Sequence, residues 1–142
     1  MLTLLARALI IGCSIAIPAV RTASSADALA GDAAFMKYCD MCHYRPEMDK
    51  TKFGPSLHGI IGRKFGSVAG FPYSKAMIED GKRGYIWREF NLSIYLMSPK
   101  NHSATNGMTF TGFSNIKGTT GDEAEDIAAY LGLRQKDGLP GP

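Results

Sequence analysis

The sequence predicts a small all-α domain in which helices alternate with long, glycine-rich loops. Three observations predict it. Residues 87–98 carry apolar side chains at 87, 90, 94 and 97, a helical spacing. A second stretch opens with Asp122, Glu123, Glu125 and Asp126, which suit the positive end of a helix, and continues with Ile127, Tyr130 and Leu131 on one face. Residues 44–72 have prolines at 46, 55 and 72 and frequent glycine without any period, which reads as loop. A length of 142 residues suggests one domain. With 45% hydrophobic and 20% charged residues the chain is not a wholly disordered one. Its three cysteines are too few for a multi-disulfide scaffold.

Residues 1–26 have one basic residue near the start, Arg7, then an apolar stretch over 8–20 broken by Ser14 and Pro18. Those 13 residues fall short of the ~20 needed to span a bilayer. Ser24 and Ala26 are small residues placed for a cut before Asp27. This is the layout of a secretory signal peptide removed near Ala26, and it implies a periplasmic protein. An uncleaved anchor and a lipoprotein signal at Cys13 fit the pattern less well. Nothing after residue 26 is apolar enough to span a membrane. Without Arg7 and Arg21, 14 basic residues face 13 acidic ones. So balanced a chain is a poor candidate for nucleic-acid binding, which needs clustered basic surface.

Residues 28–42 read as the first helix, with Asp27 or Asp32 near its start. Pro99 is expected to end the helix over 87–98. Thr119 or Thr120 would cap the last helix. The compact domain is expected over 27–134, with a flexible tail over 135–142.

The chemistry lies in two cysteines. Cys39 and Cys42 stand two residues apart, and His43 follows at once. This is the attachment signature of a c-type haem. Two thiols add across the two vinyl groups of the porphyrin; one helical turn sets their separation and places the next imidazole under the iron. Zinc would need more ligands than one cysteine pair and a histidine. A thioredoxin-type pair would need a strand-rich neighbourhood, and a disulfide across so short a loop would leave His43 without a role.

If His43 is one axial ligand, the second is open on residues alone. His58, His102, Met36, Met41, Met48, Met77, Met97 and Met108 are available. Met36 and Met41 are too close to His43 in sequence to reach the far side of a haem. Met97 falls in a helical pattern, where packing is the ordinary role. Met108 stands in a stretch without helical period. Both spare histidines are expected at the surface.

The residues resemble a family. The attachment motif, Gly54-Pro55-Ser56-Leu57-His58-Gly59, Gly70-Phe71-Pro72-Tyr73-Ser74, Trp87, Tyr95-Leu96, Pro99-Lys100 and Gly107-Met108 stand in the order found in class I cytochromes c, the mitochondrial and bacterial periplasmic branch. The likeness spans about residues 30–132. It implies about four or five helices of ordinary length, with loops wrapped around one covalently bound haem c. It implies Met108 as the second axial ligand. Pro55 resembles the carbonyl that accepts from the ligand imidazole, and Tyr95 the tyrosine that reaches the ligand sulfur. Arg63, Tyr73, Ser74 and Trp87 resemble the residues around the haem propionates, and Phe110 the aromatic beside the exposed haem edge. The first and last helices would cross with Gly31 and Phe35 against Ile127 and Tyr130. The implied role is a monomeric one-electron carrier, not an enzyme. Its donor would be a quinol-oxidising complex or a dehydrogenase, and its acceptor an oxidase, a reductase or a reaction centre. A peroxidase-like enzyme or a gas-sensing module with a labile Met ligand is the alternative.

The chain also departs from the family. Short insertions fall between Tyr73 and Trp87 and between Met108 and Tyr130, both expected in loops. Met77 stands where the family often has asparagine. Several positions of the family's docking lysines are Tyr38, Asn101, Gly107, Ser114 and Asn115 here, while Lys100 remains and Lys37 and Lys52 are expected nearby. Weak electrostatic steering toward partners is the consequence.

Overall fold

The computed structural model describes residues 26–102 and 107–136. All but the last residue of the leader expected over 1–26, and the residues beyond 136, lie outside the described residues. Among those residues the secondary structure is helical: α1 (Ala28–Tyr38), α2 (Lys75–Lys82), α3 (Glu89–Met97), the single turn α4 (Pro99–His102), a 3-10 turn at Phe113–Asn115 and α5 (Asp122–Lys136). One isolated antiparallel bridge joins Lys64 and Ile86.

Asp27 starts α1. Its Oδ1 accepts from the backbone N–H of Leu29 at 2.8 Å and Ala30 at 3.4 Å, while its own N–H donates to Asp126 Oδ1 at 2.7 Å. One residue therefore caps α1 and ties it to α5. The helix stops at Tyr38, short of the expected residue 42. Beyond it a tight turn takes over, with the N–H groups of Cys42 and His43 both donating to the Cys39 carbonyl, at 3.0 and 2.9 Å.

The α1–α5 crossing is the most extensive helix contact. Gly31 makes it possible, because a Cβ there would overlap the Asp126 carbonyl and come within 2.8 Å of Tyr130 Cβ. Phe35 and Tyr130 then meet with ring centroids 5.6 Å apart. Both are almost wholly buried, along with Ala124, Ile127, Ala128 and Leu131. Burying each of the larger side chains contributes about 1.5–3 kcal/mol. Thr120 Oγ1 accepts from the Asp122 N–H at 3.3 Å, as a capping residue does, whereas the Thr119 hydroxyl donates to the Phe113 and Ile116 carbonyls. Glu123 completes the start of α5 by accepting from the Thr120 and Gly121 N–H groups, each at 3.2 Å.

Further expectations are corrected. Between Tyr73 and Trp87, where an insertion was expected in a loop and no helix was expected, the chain forms α2: Ser74 Oγ accepts from the Met77 N–H at 3.3 Å, and Met77 and Gly81 turn inward. The helix expected over 87–98 is shorter, and its buried face is Leu92 and Leu96, leaving Phe90 and Ile94 exposed. Asn91 sets its start by accepting from the Arg88 N–H at 2.8 Å, so Trp87 belongs to the preceding segment. Pro99 does end α3, yet it also opens α4. α5 also runs through residues 135 and 136, the first two of the stretch expected as a tail.

Candidate haem-binding cleft

The helices and the long loop over 44–72 enclose a cleft of about 920 Å³. Its apolar walls include Phe35, Leu57, Ile60, Leu92, Leu96, Ile127 and Leu131. All eleven residues selected from the sequence line it: Cys39, Cys42, His43, Pro55, Arg63, Tyr73, Ser74, Trp87, Tyr95, Met108 and Phe110.

The turn after α1 delivers the first group. His43 is buried, and its Nδ1–H donates to the Pro55 carbonyl at 2.9 Å. That bond fixes the tautomer and leaves Nε2 with its lone pair. Burial lowers the imidazole pKa, with the Pro55 bond opposing it more weakly, so the neutral ligand form is favoured. Gly54 lies flat against the ring: a Cβ there would overlap the imidazole atoms. Cys39 is buried and Cys42 half-buried. Burial, then the nearby Cys42 and Asp40, push the Cys39 thiol up to about 12.

The segment after α4 delivers the second group. Met108 is half-buried, and the Tyr95 hydroxyl lies 3.7 Å from its sulfur. Burial pushes the Tyr95 phenol up to about 12, so it remains a donor. Its ring sits edge-on to Trp87 at 5.2 Å, and Trp87 stacks on Phe65 at 3.9 Å. Phe110 packs at 5.1 Å against Phe113 and 6.5 Å from Tyr38.

Arg63 spends its donors on backbone. It bonds the Ser56 carbonyl at 2.6 Å and the His58 carbonyl at 2.8 Å. Burial lowers its pKa, against the pull of Tyr73 and Asp49. The guanidinium thus braces the loop over 56–63 while facing the cleft.

The other candidate ligands separate. His58, His102, Met36, Met48 and Met97 do not line the cleft, whereas Met41 and Met77 do. His58 Nδ1 donates to the Pro46 carbonyl at 2.8 Å. His102 is not the surface residue expected: its side chain is 19% exposed, and its Nε2–H donates to Asp80 at 2.9 Å. Lys52 bonds the Asp40 carbonyl at 2.7 Å and Lys37 lies over Tyr38, so these two lysines are engaged within the chain. The sequence reading missed Gly54 and the walls Ile60, Leu92 and Leu96. Apolar residues in a loop or a uniformly apolar helix carry no signal for a cleft; only proximity in space reveals it.

Two thiols and a neutral imidazole on one turn, facing an apolar cleft, fit a covalently held porphyrin. Among the described residues no group of three or more His, Cys, Asp or Glu could hold a bare metal ion. Fold and site together define a haem protein of the c type.

Known proteins agree. The chain is 41% identical over 101 residues to a cytochrome c-550 of Ancylobacter novellus, covering 70% of this chain and 89% of that protein. It is 38% identical over 105 residues to a cytochrome c2 of Agrobacterium tumefaciens, covering 74% and 89%. The solved ferricytochrome c2 of Rhodopseudomonas palustris superposes with a TM-score of 0.63 at 33% identity, over 75% of this chain and 97% of that one. No family model matches. The chain belongs to the class I c-type cytochromes, electron carriers with one covalently attached haem c.

Proposed function

We propose that this protein is a monomeric electron shuttle of the periplasm, with its haem tethered to Cys39 and Cys42 and its iron held between His43 and Met108. The 2.9 Å bond from His43 Nδ1–H to the Pro55 carbonyl carries the reading, because it aims the other ring nitrogen as a ligand. The haem supplies reversible one-electron chemistry at iron. The chain does the rest. Pro55 and Gly54 fix the imidazole plane. Tyr95 holds the Met108 sulfur, a soft ligand that favours reduced iron. Arg63, Tyr73, Ser74 and Trp87 border the region proposed for the propionates. Phe110 would border the haem edge, the route a bound haem offers to electrons.

If His43 and Met108 both bind the iron, no open position would remain for a substrate, so we read the protein as an electron carrier and not an enzyme. Its donor is a quinol-oxidising complex or a dehydrogenase; its acceptor is an oxidase, a reductase or a reaction centre. The leader is removed near Ala26. Among the described residues no helix is long and apolar enough to cross a membrane.

Absorption spectra of the ferric and ferrous holoprotein, with and without carbon monoxide, test the ligation. A low-spin spectrum with a far-red sulfur-to-iron band and a ferrous form resistant to carbon monoxide are expected. A high-spin spectrum or rapid carbon monoxide binding would overturn it and favour peroxidase or gas-sensing chemistry.

A further inference from the structure

His102 ends α4, six residues before Met108. Its Nε2–H donates to Asp80 Oδ2 of α2 at 2.9 Å. The other oxygen of that carboxylate faces Arg83, 3.6 Å away at the C-terminal cap of α2. The His102 Nδ1 is buried without a hydrogen-bond partner, so the Asp80 bond is the polar tether seen on this ring among the described residues. The ring stands edge-on between two aromatics, 5.9 Å from Phe65 and 6.0 Å from Tyr95. Tyr95 in turn places its hydroxyl 3.7 Å from the Met108 sulfur. These contacts link α2, α4 and α3 to the proposed ligand through one side chain.

We infer that His102, locked by Asp80, is a positioning residue that holds the Tyr95 ring where its hydroxyl reaches the Met108 sulfur. The inference rests on the proposed Met108 ligation. A charge-assisted hydrogen bond is directional and stronger than a neutral one, so it fixes the imidazole plane. A fixed imidazole closes one side of the Tyr95 site. Trp87, edge-on to Tyr95 at 5.2 Å, also bounds it. If His102 turns, the tyrosine ring gains room and the weak contact to sulfur is lost. A hydroxyl that donates to the thioether draws electron density from it. The sulfur then gives less to ferric iron, and the reduction potential rises.

The test is a double-mutant cycle on the holoprotein. His102→Phe keeps an aromatic ring of similar size but cannot bond Asp80. Tyr95→Phe keeps the ring and removes the hydroxyl. His102→Gln retains an N–H donor for Asp80. Reduction potential and ferrous carbon monoxide binding are measured in each. His102→Phe is expected to lower the potential in the direction of Tyr95→Phe and to speed carbon monoxide binding by about tenfold, the scale of one such hydrogen bond. In the Tyr95→Phe background the His102→Phe change should shift neither quantity. His102→Gln should restore much of the wild-type behaviour. Equal shifts in both backgrounds, or none in either, overturn the inference while leaving Met108 ligation intact. A wild-type spectrum without the far-red sulfur band overturns the ligation and this inference together. Circular dichroism melts show whether each variant folds, and a His102→Phe variant that unfolds leaves His102→Gln, with its partial bond, to decide by the same two readouts.

Discussion

At the scale of residues, the site rests on groups kept neutral by burial. His43 is pulled down from the ordinary histidine range and Tyr95 pushed up, each chiefly by desolvation. The Tyr95 shift has a signed consequence. The folded protein keeps the phenol proton to about 12, whereas the unfolded chain releases it near 10. The unfolded state therefore binds fewer protons above pH 10, and stability falls as pH climbs from there toward 12. Below pH 10 the contribution is complete. Spectrophotometric titration should show one phenol ionising late in the wild type and missing in Tyr95→Phe. Denaturant melts of that variant should fall less between pH 10 and 12. A Tyr95 that ionises with the exposed tyrosines would contradict the burial argument. The attachment motif was legible because covalent chemistry fixes its spacing. Met108 was singled out among the candidate ligands only through the family likeness, and the Asp80–His102 bond had no signal at all, because it joins residues 22 positions apart with no pattern between them.

At the scale of elements, helix ends follow their capping residues. Asp27 and Ser74 each accept the first free N–H groups, and Asn91 reaches back from within α3. The first and last helices were visible in sequence, as was the need for Gly31. The buried face of α3 was misread because Phe90 and Ile94 are as apolar as Leu92 and Leu96. Where apolar residues surround a helix, periodicity cannot choose the inner face. α2 was missed because it spans eight residues with a glycine inside. Gly31 offers a prediction whose sign is informative. Helix propensity alone would make Gly31→Ala stabilising by ~1 kcal/mol. A methyl group in the backbone of α5 should outweigh that, for a net loss of about 2 kcal/mol in denaturant unfolding. A gain in stability would mean that the two helices part readily.

At the scale of the whole molecule, the core and the cleft share their side chains. Phe35, Leu92, Leu96, Ile127 and Leu131 belong to both. Without haem those shared apolar walls would face water, a loss of burial that the ~5–15 kcal/mol holding a domain together does not readily absorb. Without haem the walls should therefore give way. Circular dichroism of haem-free protein is expected to show little helix and no cooperative melt; a cooperative transition would contradict this. The burial of Cys39 carries a consequence for chronology. In the closed structure its thiol is shielded and stays protonated to about 12, so little of the reactive thiolate exists. Attachment is therefore expected to run faster on an open chain, where the thiol is solvated and more of it ionises. The pigment and the fold then arrive together: the tether is made while the chain is loose, and the tethered porphyrin supplies the surface on which the walls close.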